Sequence, residues 1–286
     1  MSVFTLKILA MASMVCDHMG YWLYLEKLIS TEIYTVMRSF GRMAFPLFCF
    51  LIANGVAHSK DKKAYLKRLC AFALFSQIPF VLVFTPANYG VGLGALSFQA
   101  PAMGYILLCL LLGFMWYRFV SADISALYAP LALFLGLCTL KCGDAYILRP
   151  DMNVFYTLAF SLAAICVLDK FFVPSADAPE KYAQAAALAI ALLLIWDRAD
   201  YGLNGILLIL SLWLFRQSRP RQLIMLLIWC FVHYPPAVAN TGYTICAALS
   251  ALPLYFYNGR LGKPMKTAFY LVYPLHLSVL GIMALL

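Results

Sequence analysis

The sequence predicts an all-α protein, a polytopic transmembrane helical bundle of about 10–11 transmembrane helices, and three observations carry that reading. Apolar residues make up 64% of the chain and charged residues 12%, with a mean hydropathy of +0.86. Such a composition leaves too little polar surface to clothe a globule in water. Apolar runs approaching the roughly 20 residues that cross about 30 Å of hydrocarbon recur along the whole chain. The basic residues, finally, collect in alternate loops, as they do when a chain is threaded through a bilayer.

Helices are expected at 4–25, 36–58, 65–85, 101–119, 125–141, 153–169, 183–198, 202–215, 221–237, 241–257 and 266–285. The fifth and eighth are short. The longest polar stretch runs from about Lys170 to Lys181, too short for a soluble domain, so residues 1–286 read as one transmembrane domain. The first run contains Asp17 and His18 and lacks a small-residue cleavage site, which marks a retained helix and not a cleaved signal.

Loops two, four, six, eight and ten, with Lys7, hold 15 basic residues, whereas the opposite loops hold only Lys27, Lys141, Arg149 and Arg198. The positive-inside rule then puts the N-terminus in the cytoplasm, and eleven spans put the C-terminus outside. The net charge of +9 is thereby a topology signal, and no nucleic-acid partner is expected. Nine cysteines are scattered singly, with no C-x-x-C; they read as packing residues, and no metal site is expected.

Ionisable side chains inside the membrane cost a few kcal/mol each, so each needs a partner or a function. Asp17 and His18 lie about 14 residues into the first helix, roughly 20 Å along it, in the outer half of the membrane. An imidazole there is suited to accept a proton from an amine or hydroxyl nucleophile. Arg38 and Arg42 are four apart at the start of the second helix and therefore share a face. Two like charges so placed call for an anionic partner: Asp17, Asp200, a lipid headgroup or a phosphate-bearing substrate. The same helix carries Gly41, Ala44 and Gly55, which permit close approach, and Pro46, which is expected to bend it.

Asp197, Arg198 and Asp200 form a short outer turn, with Asp200 available to an arginine at the mouth of a site. In the last helix Tyr273 and His276 share a face by their i, i+3 spacing, with Pro274 between them. His58 and His233 are read as interfacial.

These residues sit in stretches that resemble the TraX family: LKILAMASMVCDHMGYWL in the first helix, FGRMAFPLFCFLIANG, YLKRLCAFALFSQIPF, MNVFYTLAFSLAAI, ADYGLNGILLIL and YNGRLGKPMKTAFYLVYPLHL. The resemblance runs from the first helix to the last. It implies an inner-membrane acyltransferase related to a pilin acetylase, one that takes acetyl from cytoplasmic acetyl-CoA, the acyl donor, to a periplasmic acceptor. That acceptor would be a protein or glycan, pilin among them, with membrane lipids as surroundings. The family's DH pair falls on Asp17 and His18, its GR on Gly41 and Arg42, its DYG on Asp200, Tyr201 and Gly202, and its YPLH on Tyr273, Pro274 and His276. Many relatives carry an acid where this chain has Asn54.

In the expected mechanism His18 is the general base, with Asp17 orienting it or pairing with Arg42. Arg38 and Arg42 stabilise an anionic carrier or the developing oxyanion, and Asp200, Tyr273 and His276 line the substrate. Two other classes use the same groups: a proton-coupled transporter or channel, which calls for internal symmetry and an inner charged gate, and a non-catalytic pilus or secretion assembly protein, in which the charges only pair with one another. Neither a repeat nor an inner gate is visible.

Overall fold

The computed structural model describes residues 1–84, 151–171, 199–236 and 240–283, together with positions 107, 111, 141–142, 145–146, 185, 188 and 189. The described chain is built of helices, apart from two-residue strands, β1 (Lys141–Cys142) and β2 (Ala145–Tyr146), paired antiparallel. Four helical stretches, Val3–Leu25, Thr31–His58, Lys62–Phe84 and Val154–Phe171, are long and apolar enough to cross a membrane. The chain is a multi-pass membrane protein. The expected helices at 101–119, 125–141 and 183–198 lie outside the described residues, save for the isolated positions.

Contacts divide the chain into two compact units, residues 1–57 with 211–284, and residues 58–210 with 285–286. The first unit opens with α1 (Val3–Leu25), capped by Ser2, whose side chain accepts from Thr5 N at 3.2 Å. One stripe of α1, Leu6, Ala10, Ser13, Asp17 and Gly20, is buried at helical spacing. It faces α2 (Thr31–Gly41), which Ser30 caps. The two backbones approach closely because Gly20 lacks a side chain: a Cβ there would lie 2.7 Å from Met37 Cβ.

The single helix expected over 36–58 is in fact two, α2 and α3 (Ala44–His58), separated by a turn at Arg42 and Met43. Pro46 supplies the reason. It has no N–H to give the Arg42 carbonyl four residues back, so the ladder stops there, and Pro46 sits in the first turn of α3, where that donor would have no helical partner. The proline starts a helix instead of bending one.

The second half of this unit comprises α7 (Arg219–His233), α8 (Thr241–Leu249), α9 (Ala251–Tyr255) and α10 (Lys266–Met283). The helix expected over 241–257 is broken at Ser250, whose hydroxyl donates to the Ala247 carbonyl at 2.6 Å and so competes with the helical ladder. Lys7 Nζ lies 4.5 Å from the Phe269 ring centre, and His18 meets His276 further along, so α1 and α10 run in the same direction, the relation that an odd number of spans requires. The chain start is tied in as well: Val3 N donates to Arg260 O at 2.9 Å and Phe4 N to Leu261 O at 3.1 Å.

In the second unit α4 (Lys62–Phe84) packs on α5 (Val154–Phe171), which is buried on all sides from Val154 to Val167. A helix apolar all round belongs in the middle of a bundle. Its entry is held by a buried amide pair: Gln77 Nε2 donates to Asp151 O at 2.8 Å, and Asn153 Nδ2 donates to both Gln77 Oε1 and Ala73 O at 2.8 Å. At the far end Lys62 pairs with Asp169. The helix α6 (Gly202–Leu214) follows a turn in which Tyr201 adopts φ +65°. Asn153 Oδ1 also accepts from Phe155 N at 3.0 Å, so replacing Asn153 by Ala leaves that buried N–H without its acceptor and removes the donor to Ala73 O. The change is expected to cost about 1–3 kcal/mol, read as a lower melting temperature of the detergent-solubilised protein.

Large apolar side chains are exposed along the outer faces, among them Ile8, Leu207, Ile224, Val232, Leu275 and Val279. In water such a surface would aggregate; against lipid tails it is the ordinary finish of a transmembrane bundle.

Candidate functional site

The first unit gathers its ionisable groups where α1 meets the end of α2. Arg38 lies in the last turn of α2 and Arg42 at its C-cap, so the i, i+4 spacing sets both on the face toward α1. Asp17 answers them together: Arg38 Nη1 donates to Oδ2 and Arg42 Nη2 to Oδ1, each at 2.5 Å. All three side chains are largely buried, Asp17 at 10% exposure, Arg42 at 12% and Arg38 at 20%. Each guanidinium also lies 5.5 Å from a ring centre, Arg38 over Tyr21 and Arg42 over Tyr243.

One carboxylate between two guanidiniums leaves the triad with a net positive charge. Arg42 Nε is directed at the Arg38 carbonyl at 3.1 Å, whereas Arg38 Nε is buried with no hydrogen-bond partner among the described residues. A buried donor with no acceptor among the described residues, in a triad of net positive charge, describes a place that would welcome an anionic group.

Gly41 makes the arrangement possible. A Cβ there would lie 2.2 Å from Asp17 Oδ1 and 2.3 Å from Asp17 Cβ, distances that no real contact reaches. Gly41→Ala is therefore expected to push α1 from α2, costing about 1–3 kcal/mol of stability and disrupting both ion pairs. A melting curve and a transfer assay on the variant check both effects. A second glycine does the same for α8, since a Cβ on Gly242 would lie 2.8 Å from Ser39 Oγ; the close approach carries Tyr243 to Arg42.

Next along α1, His18 turns to α10. Its Nδ1 lies 2.7 Å from His276 Nε2, and His276 Nδ1 lies 2.6 Å from the Val272 carbonyl, one turn back in the same helix. The imidazole planes are 13° apart with centroids 5.0 Å apart, so the nitrogens meet edge to edge in nearly one plane, as a hydrogen bond requires. A carbonyl only accepts. With both rings neutral, His276 must therefore carry its proton on Nδ1 and accept on Nε2, and His18 must donate from Nδ1. The chain of donors ends with His18 Nε2 as the unprotonated nitrogen, the form in which an imidazole takes up a proton. Tyr273, buried at 4% exposure, sets its ring edge-on to both, 5.9 Å from His18 and 5.7 Å from His276.

Six of the seven residues singled out from the sequence thus share one unit: Asp17, His18, Arg38 and Arg42 from the first two helices, Tyr273 and His276 from the last. Asp200 belongs to the second unit. Its N–H donates to the Met152 carbonyl at 2.8 Å and its carbonyl accepts from Thr157 Oγ1, which ties the start of α6 to α5. Tyr21 and Tyr243, which cover the guanidiniums, were not singled out; a tyrosine one turn after Asp17 and another directly after Gly242 were the available signals. His233, read as interfacial, stacks on Trp229 with centroids 4.6 Å apart. No group of three or more metal-ligating side chains comes together among the described residues.

The profile of a family described as TraX protein matches residues 2–122 and 140–284. The chain belongs to the TraX family. Its two matched stretches contain all seven singled-out residues, as well as Gly41, Tyr21 and Tyr243. This TraX chain is also similar to a protein of Dichelobacter nodosus named "Probable fimbrial assembly protein FimC, serogroup H1", with 27% identity over 282 residues, 98% of this chain and 94% of that protein. No solved structure matches it.

Proposed function

We propose that this TraX-family protein is an integral membrane acetyltransferase of the bacterial inner membrane, with its N-terminus in the cytoplasm, moving acetyl from cytoplasmic acetyl-CoA to a periplasmic amine or hydroxyl. The observation that carries the reading is the juxtaposition within one unit of the His18–His276 pair and the net-positive Asp17–Arg38–Arg42 triad. A base beside an anion-stabilising group is what acyl transfer needs.

In this reading His18 Nε2 takes the proton of the acceptor as its nitrogen or oxygen bonds to the acetyl carbon. The arginines stabilise the oxyanion that forms on the carbonyl oxygen. When the carbon–sulfur bond breaks, the proton passes from His18 to the departing thiolate, which leaves as free CoA thiol, and the imidazole regains its starting form. Both Asp17 oxygens are engaged by the guanidiniums, so Asp17 serves by holding them; orienting His18 falls to His276.

The name of the fimbrial relative, and the pilin acetylase that the TraX resemblance implies, make the N-terminal amine of a pilin the first acceptor to test. Membranes containing the protein, given acetyl-CoA with a deuterated acetyl group, should yield labelled pilin or envelope glycan by mass spectrometry. Absence of protein-dependent label on any envelope component would remove the enzyme reading.

A further inference from the structure

A second feature of the first unit lies away from the polar triad. Helices α7, α8 and α9 enclose an open groove of about 560 Å³, within the range of small-ligand sites. Leu223, Leu227 and Phe231 form one wall at i, i+4 spacing, and Ile245, Leu252 and Tyr255 stand opposite. From Leu223 to Phe231 is eight residues, about 12 Å of helix, close to half of the roughly 30 Å hydrocarbon thickness. The groove has the depth of an acyl chain in one leaflet.

One end of the groove is strongly cationic. Arg219 continues the Leu223 stripe by one further turn, and α7 side chains lean toward that end. Its guanidinium lies 4.9 Å from the Phe50 ring centre and 4.8 Å from that of Tyr257, two residues beyond the groove-lining Tyr255. Nη1 is buried and has no hydrogen-bond partner among the described residues. Arg216 and Arg221 flank it in sequence, and Arg260 and Lys263 follow Tyr257. No acid answers these charges within the unit. The chain has no Asp or Glu after Asp200, and the unit's three, Asp17, Glu26 and Glu32, lie far along α1 or at the start of α2, at least 14 residues from Val3, whose N–H reaches Arg260 O.

We propose that this groove binds one acyl chain of an anionic phospholipid, with the lipid phosphate held by Arg219. An apolar slot of one-leaflet depth accounts for the chain, and a cationic mouth without its own carboxylate accounts for the negative headgroup. A zwitterionic lipid offers the same chain but brings no net charge to balance the guanidinium, and is not retained.

The test is a melting curve of the whole purified protein in dodecylmaltoside with added dioleoylphosphatidylglycerol or dioleoylphosphatidylcholine, alongside native mass spectrometry of the lipid adducts. The phosphatidylglycerol should raise the melting temperature and give a one-lipid adduct, and the phosphatidylcholine should do neither. Arg219→Gln should abolish the difference between the lipids by removing the charge. Leu227→Trp should abolish it by filling the slot, so either variant suffices if the other fails to fold. Equal shifts with both lipids would overturn the proposal, as would a phosphatidylglycerol shift that survives in both variants. A shift reproduced by inorganic phosphate alone would overturn the role of the groove.

Discussion

Replacing His18 by Ala is expected to reduce acetyl transfer by about 10²- to 10⁴-fold, the contribution usual for a positioned general base. The protein should still fold, because His18 is only partly buried and its removal leaves the Asp17 ion pairs intact. The partner substitutions are more informative still. His276→Ala removes the acceptor that keeps the His18 proton on Nδ1, and should slow transfer by about tenfold, the rate equivalent of about 1.4 kcal/mol. His276→Gln, whose side-chain oxygen can accept the same proton, should recover part of the loss. A substitution series in which Gln and Ala at position 276 behave alike would remove the tautomer role from His276.

The second large effect concerns stability. Asp17→Ala leaves two guanidiniums buried with no carboxylate between them, and breaking a buried pair in this way costs about 3–5 kcal/mol. The loss should appear as a sharply lower melting temperature in detergent. Asp17→Asn keeps the shape and some hydrogen bonding and should lose less. Coupling gives the sharper check: in the Asp17→Asn background, Arg42→Gln should be much less damaging than it is alone, since the charge it removes is no longer paired. Additive losses from the two substitutions would show that the ion pair contributes little.

Much of this site was legible because isolated charges in apolar helices are so costly. Asp17 is the sole carboxylate within the first helix, and Arg38 and Arg42 repel one another at i, i+4 spacing, so the sequence itself called for an anion between them. The structure supplies Asp17 to both at once. The pairing of His18 with His276 was not legible beyond their shared assignment to a site, because 258 residues separate them and only the packing of α1 on α10 brings the rings into one plane. Pro46 misled for a local reason. Proline interrupts the helical ladder wherever it stands, but sequence does not say whether the chain bends through the gap or stops and restarts, and here it restarts, which puts Arg42 at a helix end with its side chain turned to Asp17. Asp200 was singled out because it is charged and outer; its backbone ties α5 to α6 in the other unit, a role that no charge pattern signals.

The measurement closest to the centre of this account uses purified protein in proteoliposomes, acetyl-CoA labelled in the acetyl group, and an acceptor peptide bearing the N-terminal sequence of a pilin. With equal amounts of folded protein, the wild type should move label to the peptide and release CoA thiol in equal measure, and the His18→Ala variant should do neither. Equal transfer by both would contradict the assignment of the imidazole, and thiol release without labelled acceptor in the wild type would contradict acetyl transfer itself.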